Sequence, residues 1–97
     1  MPIFMMFGNY TQEALKGISS DRTDKVVTLV EKNGGKVISM FAVMGEHDLV
    51  LTLDFPDQES ALAVSVGLKR LTGITFSTSP VVEVEKFDKL IAEARDI

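Results

Sequence analysis

His47 and Asp48 are the adjacent pair best equipped for chemistry in this chain, an imidazole beside a carboxylate. Such a histidine can move a proton, and such an aspartate can accept one, orient a ring or hold a cation. His47 is the sole histidine and there is no cysteine, so disulfides and cysteine nucleophiles are excluded. A metal site would have to recruit Asp48, Glu46 or a second subunit, and no spacing in the chain matches a metal motif. Tyr10, Thr52 and Ser77 complete the candidate set, a phenol and two hydroxyls able to line a pocket. Each candidate has an ordinary alternative. His47 can be a hairpin residue, Asp48 a turn clamp accepting backbone N–H groups, Tyr10 a packing residue, and the hydroxyls plain strand formers. No nucleophile with a base, paired-carboxylate spacing or phosphate loop is present, and Gly34-Gly35 reads as a helix cap. The sequence therefore implies no cofactor and no metal.

His47 and Asp48 sit in the stretch Lys36 to Phe55, which reads as two apolar strands folded back at Met44-Gly45-Glu46-His47. Gly45-Glu46 is a candidate two-residue turn, because glycine takes the positive φ that a tight hairpin demands. On a regular second arm, His47, Leu49, Leu51, Leu53 and Phe55 share one face, while Asp48, Val50, Thr52 and Asp54 share the other. Parity thus assigns Asp48 to the face away from the helices and His47 to the helix side.

The remaining elements follow from the same patterning. Ile3 to Gly8 is a strand with apolar residues on both faces, the signature of a central position. Thr11 starts a short helical turn, and a main helix runs from about Asp21 to Asn33 with Val26, Val27, Leu29 and Val30 on one side. Asp57 is a natural N-cap for a helix carrying Ala61, Val64, Leu68 and Leu71, which Thr72-Gly73 ends. Ile74 to Val84 reads as a fourth strand in which Pro80 implies an edge or a bulge, and a closing helix from Glu85 presents Phe87, Leu90, Ile91 and Ala94.

The order is β-α-β-β-α-β with an extra C-terminal helix, a single α+β domain over 1–97 with the ferredoxin-like arrangement. Right-handed crossovers place both long helices on one side of a four-stranded antiparallel sheet and leave the other face bare. Phe, Met and Val on that face call for cover, and the economical cover is a second copy, giving a homodimer in which two sheets enclose a barrel.

The chain carries 10 basic against 14 acidic residues, a net charge of -4 without a basic cluster, which removes the electrostatic term on which nucleic-acid binding depends. No stretch approaches the roughly 20 apolar residues that span a bilayer, so no membrane partner is expected. The apolar start from Met1 to Phe7 lacks the charge and cleavage pattern of a signal peptide, and a cytoplasmic location is the expectation.

Several segments together, Phe7-Gly8-Asn9-Tyr10-Thr11, Leu15-Lys16-Gly17-Ile18, Gly34-Gly35-Lys36-Val37, Gly45-Glu46-His47-Asp48-Leu49-Val50, Asp54-Phe55-Pro56-Asp57 and Leu71-Thr72-Gly73-Ile74, resemble the GYD domain family. The resemblance runs over nearly the whole chain, and it implies a dimeric α/β barrel in a family of unknown function. His47 stands where the Gly-x-Tyr-Asp motif of that family has tyrosine, while Gly45 and Asp48 keep the motif.

Three functional expectations result. The first is an oligomeric domain binding a small, partly apolar ligand in a cavity between the sheets of two subunits, with Asp48, His47, Tyr10, Thr52 and Ser77 as contacts. The second, by analogy of fold, is a cofactor-independent monooxygenase or isomerase. The third is a purely structural oligomerisation module.

Overall fold

The computed structural model describes residues 2–94. Strand β1 (Ile3–Asn9) is followed by α1 (Gln12–Lys16), α2 (Ser20–Lys32), β2 (Lys36–Ala42), β3 (Leu49–Asp54), α3 (Gln58–Thr72), β4 (Thr75–Val81) and α4 (Val84–Glu93). The strands form one antiparallel sheet in the order β2-β3-β1-β4, the ferredoxin-like topology. Among the described residues, no helix is long and apolar enough to cross a membrane.

Local chemistry sets the helix boundaries. Asp57 caps α3 by accepting the N–H of Ser60 at 2.7 Å, and Ser19 caps α2 by accepting the N–H of Arg22 at 3.0 Å. At the far end of α2, Gly34 takes φ 79°, so that the N–H groups of Gly34 and Gly35 turn back to the carbonyls of Glu31 and Val30.

The core lies on one side of the sheet. Phe4, Met6, Leu51, Leu53 and Phe55 are buried against Val26 and Val30 of α2 and Ala61, Val64 and Leu68 of α3. Phe4 and Phe55 meet edge to face at 6.0 Å between ring centres, the geometry aromatic quadrupoles favour. Among the described residues no helix packs on the other side. Register places Phe41, Val50, Phe7 and Ser77 in one row across it, Ser39, Thr52, Met5 and Ser79 in the next, and Lys36, Asp54, Ile3 and Val81 at the end. Half-buried Phe7 and Val50 lie beside Phe41, which is 61% exposed.

Two details differ from the sequence reading, while the edge position expected of Pro80 is the one observed. The connection between β2 and β3 runs over residues 43–48 instead of closing in two, with Gly45 at φ 121° and Val43 donating its N–H to the Asp48 carbonyl. The fourth strand stops at Val81, three residues short of the predicted Val84, which begins α4. The irregularity in the sheet lies in β2 between Val37 and Ser39, while Pro80 sits in an edge strand, where its missing N–H removes no ladder bond that a further strand would need.

The chain is also extended for its mass. Its radius of gyration is 15.0 Å, against about 12.5 Å for a compact domain of this length. Its surface is 6808 Å², against about 5,500 Å² for a folded monomer of 10.6 kDa.

The Asp57 cap yields a pH prediction. The backbone N–H of Ser60, and then its side chain, hold the Asp57 carboxyl below its ordinary 3.8. A depressed folded-state pKa stabilises fully above the unfolded value and is lost as pH falls through the folded one. The melting-temperature advantage of wild type over Asp57→Asn, which caps without charge, is therefore expected to hold at neutral pH and to shrink below about pH 3.8; an advantage unchanged at pH 2 would contradict the cap's role.

Candidate functional site

Where β1 ends, the chain turns twice within ten residues, and those turns build a cavity. Thr11 accepts the N–H of Ala14 at 3.0 Å to start α1, and Ser19 opens α2. Ala14 is buried at the bend. Arg22, in the first turn of α2, reaches back so that Nη1 donates to the Ala14 carbonyl, and its guanidinium lies 5.9 Å from the centre of the Tyr10 ring. Beneath them is a cavity of about 270 Å³, near the lower end of the roughly 300–1,000 Å³ range of ligand pockets. Val26, Met40, Leu49, Leu51, Ile74 and Phe76 give it an apolar floor, and Tyr10, Ser19, Arg22 and Thr23 supply its polar end.

Gly8 makes room for one wall. A Cβ there would stand 2.7 Å from Cε1 of Phe76 and 3.0 Å from Cγ2 of Ile74, so only glycine lets the Phe76 ring lie across β1.

The cationic end is unbalanced. Among the described residues the ion pair formed is Lys25 with Asp21, at 3.7 Å on the surface, and no carboxylate comes within ion-pair distance of Arg22. A cation in the first turn of a helix also opposes the positive end of the helix dipole, a placement that costs stability. The arrangement can therefore hold an acceptor-rich or anionic group at one end and apolar atoms at the other. Among the described residues no group of three or more His, Asp or Glu side chains could hold a metal ion.

The five residues singled out from the sequence are divided by the sheet. Tyr10 lines the cavity. Asp48 does not line it but fixes Tyr10, accepting the Tyr10 backbone N–H through Oδ2 at 2.9 Å while its own N–H donates to the Gly8 carbonyl at 2.9 Å. That is the clamp geometry. His47 lies on the opposite face from the one parity assigned. Its ring packs on Phe7, 5.1 Å between centres, because β3 begins only at Leu49 and strand alternation does not extend to residue 47. Nδ1 of His47 is 3.3 Å from the Asn9 side-chain amide, whose nitrogen, oriented by its surroundings, donates to that Nδ1 and to the carbonyls of Glu46 and Gly8. Thr52 and Ser77 sit on the uncovered face, opposite Met5 and Phe7 respectively. Arg22 was missed by sequence reasoning, where it passes for a solvated residue of an amphipathic helix; its position three residues after the cap, against the dipole, is the signal that singles it out.

Removing the clamp is expected to loosen Tyr10. Asp48→Ala leaves the Tyr10 N–H without its acceptor and should cost about 1–3 kcal/mol, whereas Asp48→Asn keeps an oxygen there and should cost less. Urea unfolding of both variants measures this, and equal, negligible losses would show that the bond contributes nothing.

Comparison with known proteins places these features. The crystal structure of Leucine response regulatory protein (LrpA) from Mycobacterium tuberculosis is similar in fold, with a TM-score of 0.56 at 10% identity, covering 84% of this chain and 51% of that one. The chain thus spans about half of that structure, and the likeness speaks for the fold alone. No curated protein matches the sequence. The family model for the GYD domain matches residues 4–91, from the second residue of β1 into α4, and the chain belongs to the GYD domain family.

Proposed function

We propose that this domain binds a small, partly apolar ligand with an anionic or acceptor-rich head, and does so as one protomer of a homo-oligomer paired through its uncovered sheet faces. The observation that carries the ligand reading is the Arg22 guanidinium, without a carboxylate partner, at the polar end of an apolar cavity. This moves the expected cavity from between two sheets to the helix side of one sheet. Tyr10 keeps a contact role, Asp48 becomes the residue that positions it, and His47, Thr52 and Ser77 belong to the uncovered face. Binding is preferred to catalysis because the aspartate and histidine that would transfer protons both lie outside the cavity lining.

Pairing is supported by the row Phe41, Val50 and Phe7, an apolar surface that water would otherwise cover at a cost of roughly 25 cal/mol per Å². A second protomer on that face would bring His47, stacked on Phe7, into or beside the contact.

The ligand reading is tested by NMR titration of the intact protein with hexanoate and benzoate, and with hexanol and benzyl alcohol as neutral counterparts. The acids are expected to shift the amides of Tyr10, Arg22 and Leu49, the alcohols to bind at least tenfold more weakly, and Arg22→Met to remove that preference, a tenfold change being about 1.4 kcal/mol. Equal binding of acid and alcohol would refute the anionic head, and no shift with either would refute the ligand site.

For the pairing, Val50→Glu places a carboxylate in the centre of the apolar row and is expected to weaken self-association by about a hundredfold or more in sedimentation equilibrium. An unchanged association constant would remove this face from the interface.

A further inference from the structure

Helix α4 is the element that its own chain does not account for. Val84, Phe87, Leu90 and Ile91 fall on one side by their spacing, yet they are 72%, 52%, 48% and 42% exposed, and no residue of the helix is buried. Its ten residues are fewer than the roughly 12–15 at which a helix begins to hold in water unaided. Glu83 makes no side-chain cap bond, and the last turn holds no basic residue. Tertiary packing must therefore supply what propensity and capping do not, and among the described residues α4 makes no extended contact with a strand or another helix.

The surface of the molecule indicates what supplies it. The chain exposes 6808 Å², an excess of about 1,300 Å² over a compact monomer of its mass, which exceeds the ~800 Å² that each partner contributes to a standard interface. The uncovered sheet face offers a matching site at the end from which α4 departs. There Asp54 lies between Lys36 and Ile3 in one row, with Val81 beyond Ile3, and Oδ1 of Asp54 is buried without accepting a hydrogen bond. An orphaned carboxylate oxygen is costly, and it calls for a donor. Lys86 borders the apolar stripe of α4, four residues before Leu90, and supplies one. A connection of only residues 82–83 joins the helix to β4; Lys86 in its first turn shares a hollow with Pro2, Ile3 and Val81 of its own chain, while the apolar stripe makes no extended contact there, which favours a second copy as its cover.

We propose that α4 is an arm exchanged between two copies of this chain: each protomer lays the Val84-Phe87-Leu90-Ile91 stripe on the rim of the second copy's uncovered sheet face and brings Lys86 to Asp54 of the partner subunit. The proposal rests on the homo-oligomer reading above and adds to it a specific contact.

Two full-length experiments test it. In sedimentation equilibrium, Phe87→Glu and Leu90→Glu should each raise the dimer dissociation constant at least about a hundredfold while leaving the fold of the protomer intact, since neither side chain is buried within it. The chain has no cysteine, so Lys86→Cys and Asp54→Cys each introduce a unique thiol. Mixed under oxidising conditions, the two variants should give a covalent heterodimer far in excess of either alone. A wild-type monomer at tens of micromolar would overturn both the arm and the homo-oligomer. A dimer unaffected by Phe87→Glu and Leu90→Glu would overturn the arm alone, as would loss of the protomer fold in those variants. Cross-linking confined to a single chain carrying both cysteines would likewise overturn it.

Discussion

The sheet of this protein is covered on one side only, and most of what is unusual in the molecule follows from that. β1 lies inside the sheet between β3 and β4, and its residues alternate between two apolar sets, Phe4 and Met6 against the helices and Ile3, Met5 and Phe7 away from them. A central strand apolar on both faces is normal where helices cover both sides of a sheet. Here both long helices follow right-handed crossovers to the same side, so among the described residues the second apolar set has no helix over it. The surplus of exposed surface, the bare row Phe41, Val50 and Phe7, and the unpacked α4 are three expressions of the same deficit.

What was legible in the sequence was what depends on local chemistry and on period. Asp57 as a cap, Gly34-Gly35 as a helix end, the two apolar faces of β1 and the order of the elements could all be read, because a side chain bonding a nearby N–H, or an alternation of two, leaves its mark within a few residues. Asp48 could be narrowed to clamp or pocket, and its bond to the Tyr10 N–H identifies the clamp. The side on which His47 lies was not legible. Strand parity holds only inside a ladder, and the ladder of β3 starts two residues after His47, so the ring is placed by Phe7 and by Asn9, the latter 38 residues away in sequence. Arg22 was hidden for a similar reason, since its partner carbonyl at Ala14 is brought near by the bend between α1 and α2 rather than by helical spacing.

The residues that carry polar chemistry are consequently distributed about one seam. On the helix side Tyr10 and Arg22 frame the cavity; on the bare side His47 lies on Phe7; between them, β1 leaves the sheet at Asn9 and Tyr10. The loop over residues 43–48 grips both of these residues in turn. His47 and the Glu46 carbonyl engage the Asn9 amide, and Asp48 holds the Tyr10 N–H. One short loop thus fixes a group on each side of the sheet through Asn9, the last residue of β1, and Tyr10, the residue after it. In the reading proposed above, the surface that pairs with a second copy and the cavity that receives a ligand are separated by the thickness of a sheet, yet they share this loop. The backbone on either side of His47 is tied to this end of β1, the Glu46 carbonyl by the Asn9 amide and the Asp48 N–H by the Gly8 carbonyl. His47 thus lies outside the cavity lining, on the bare-face side of that loop.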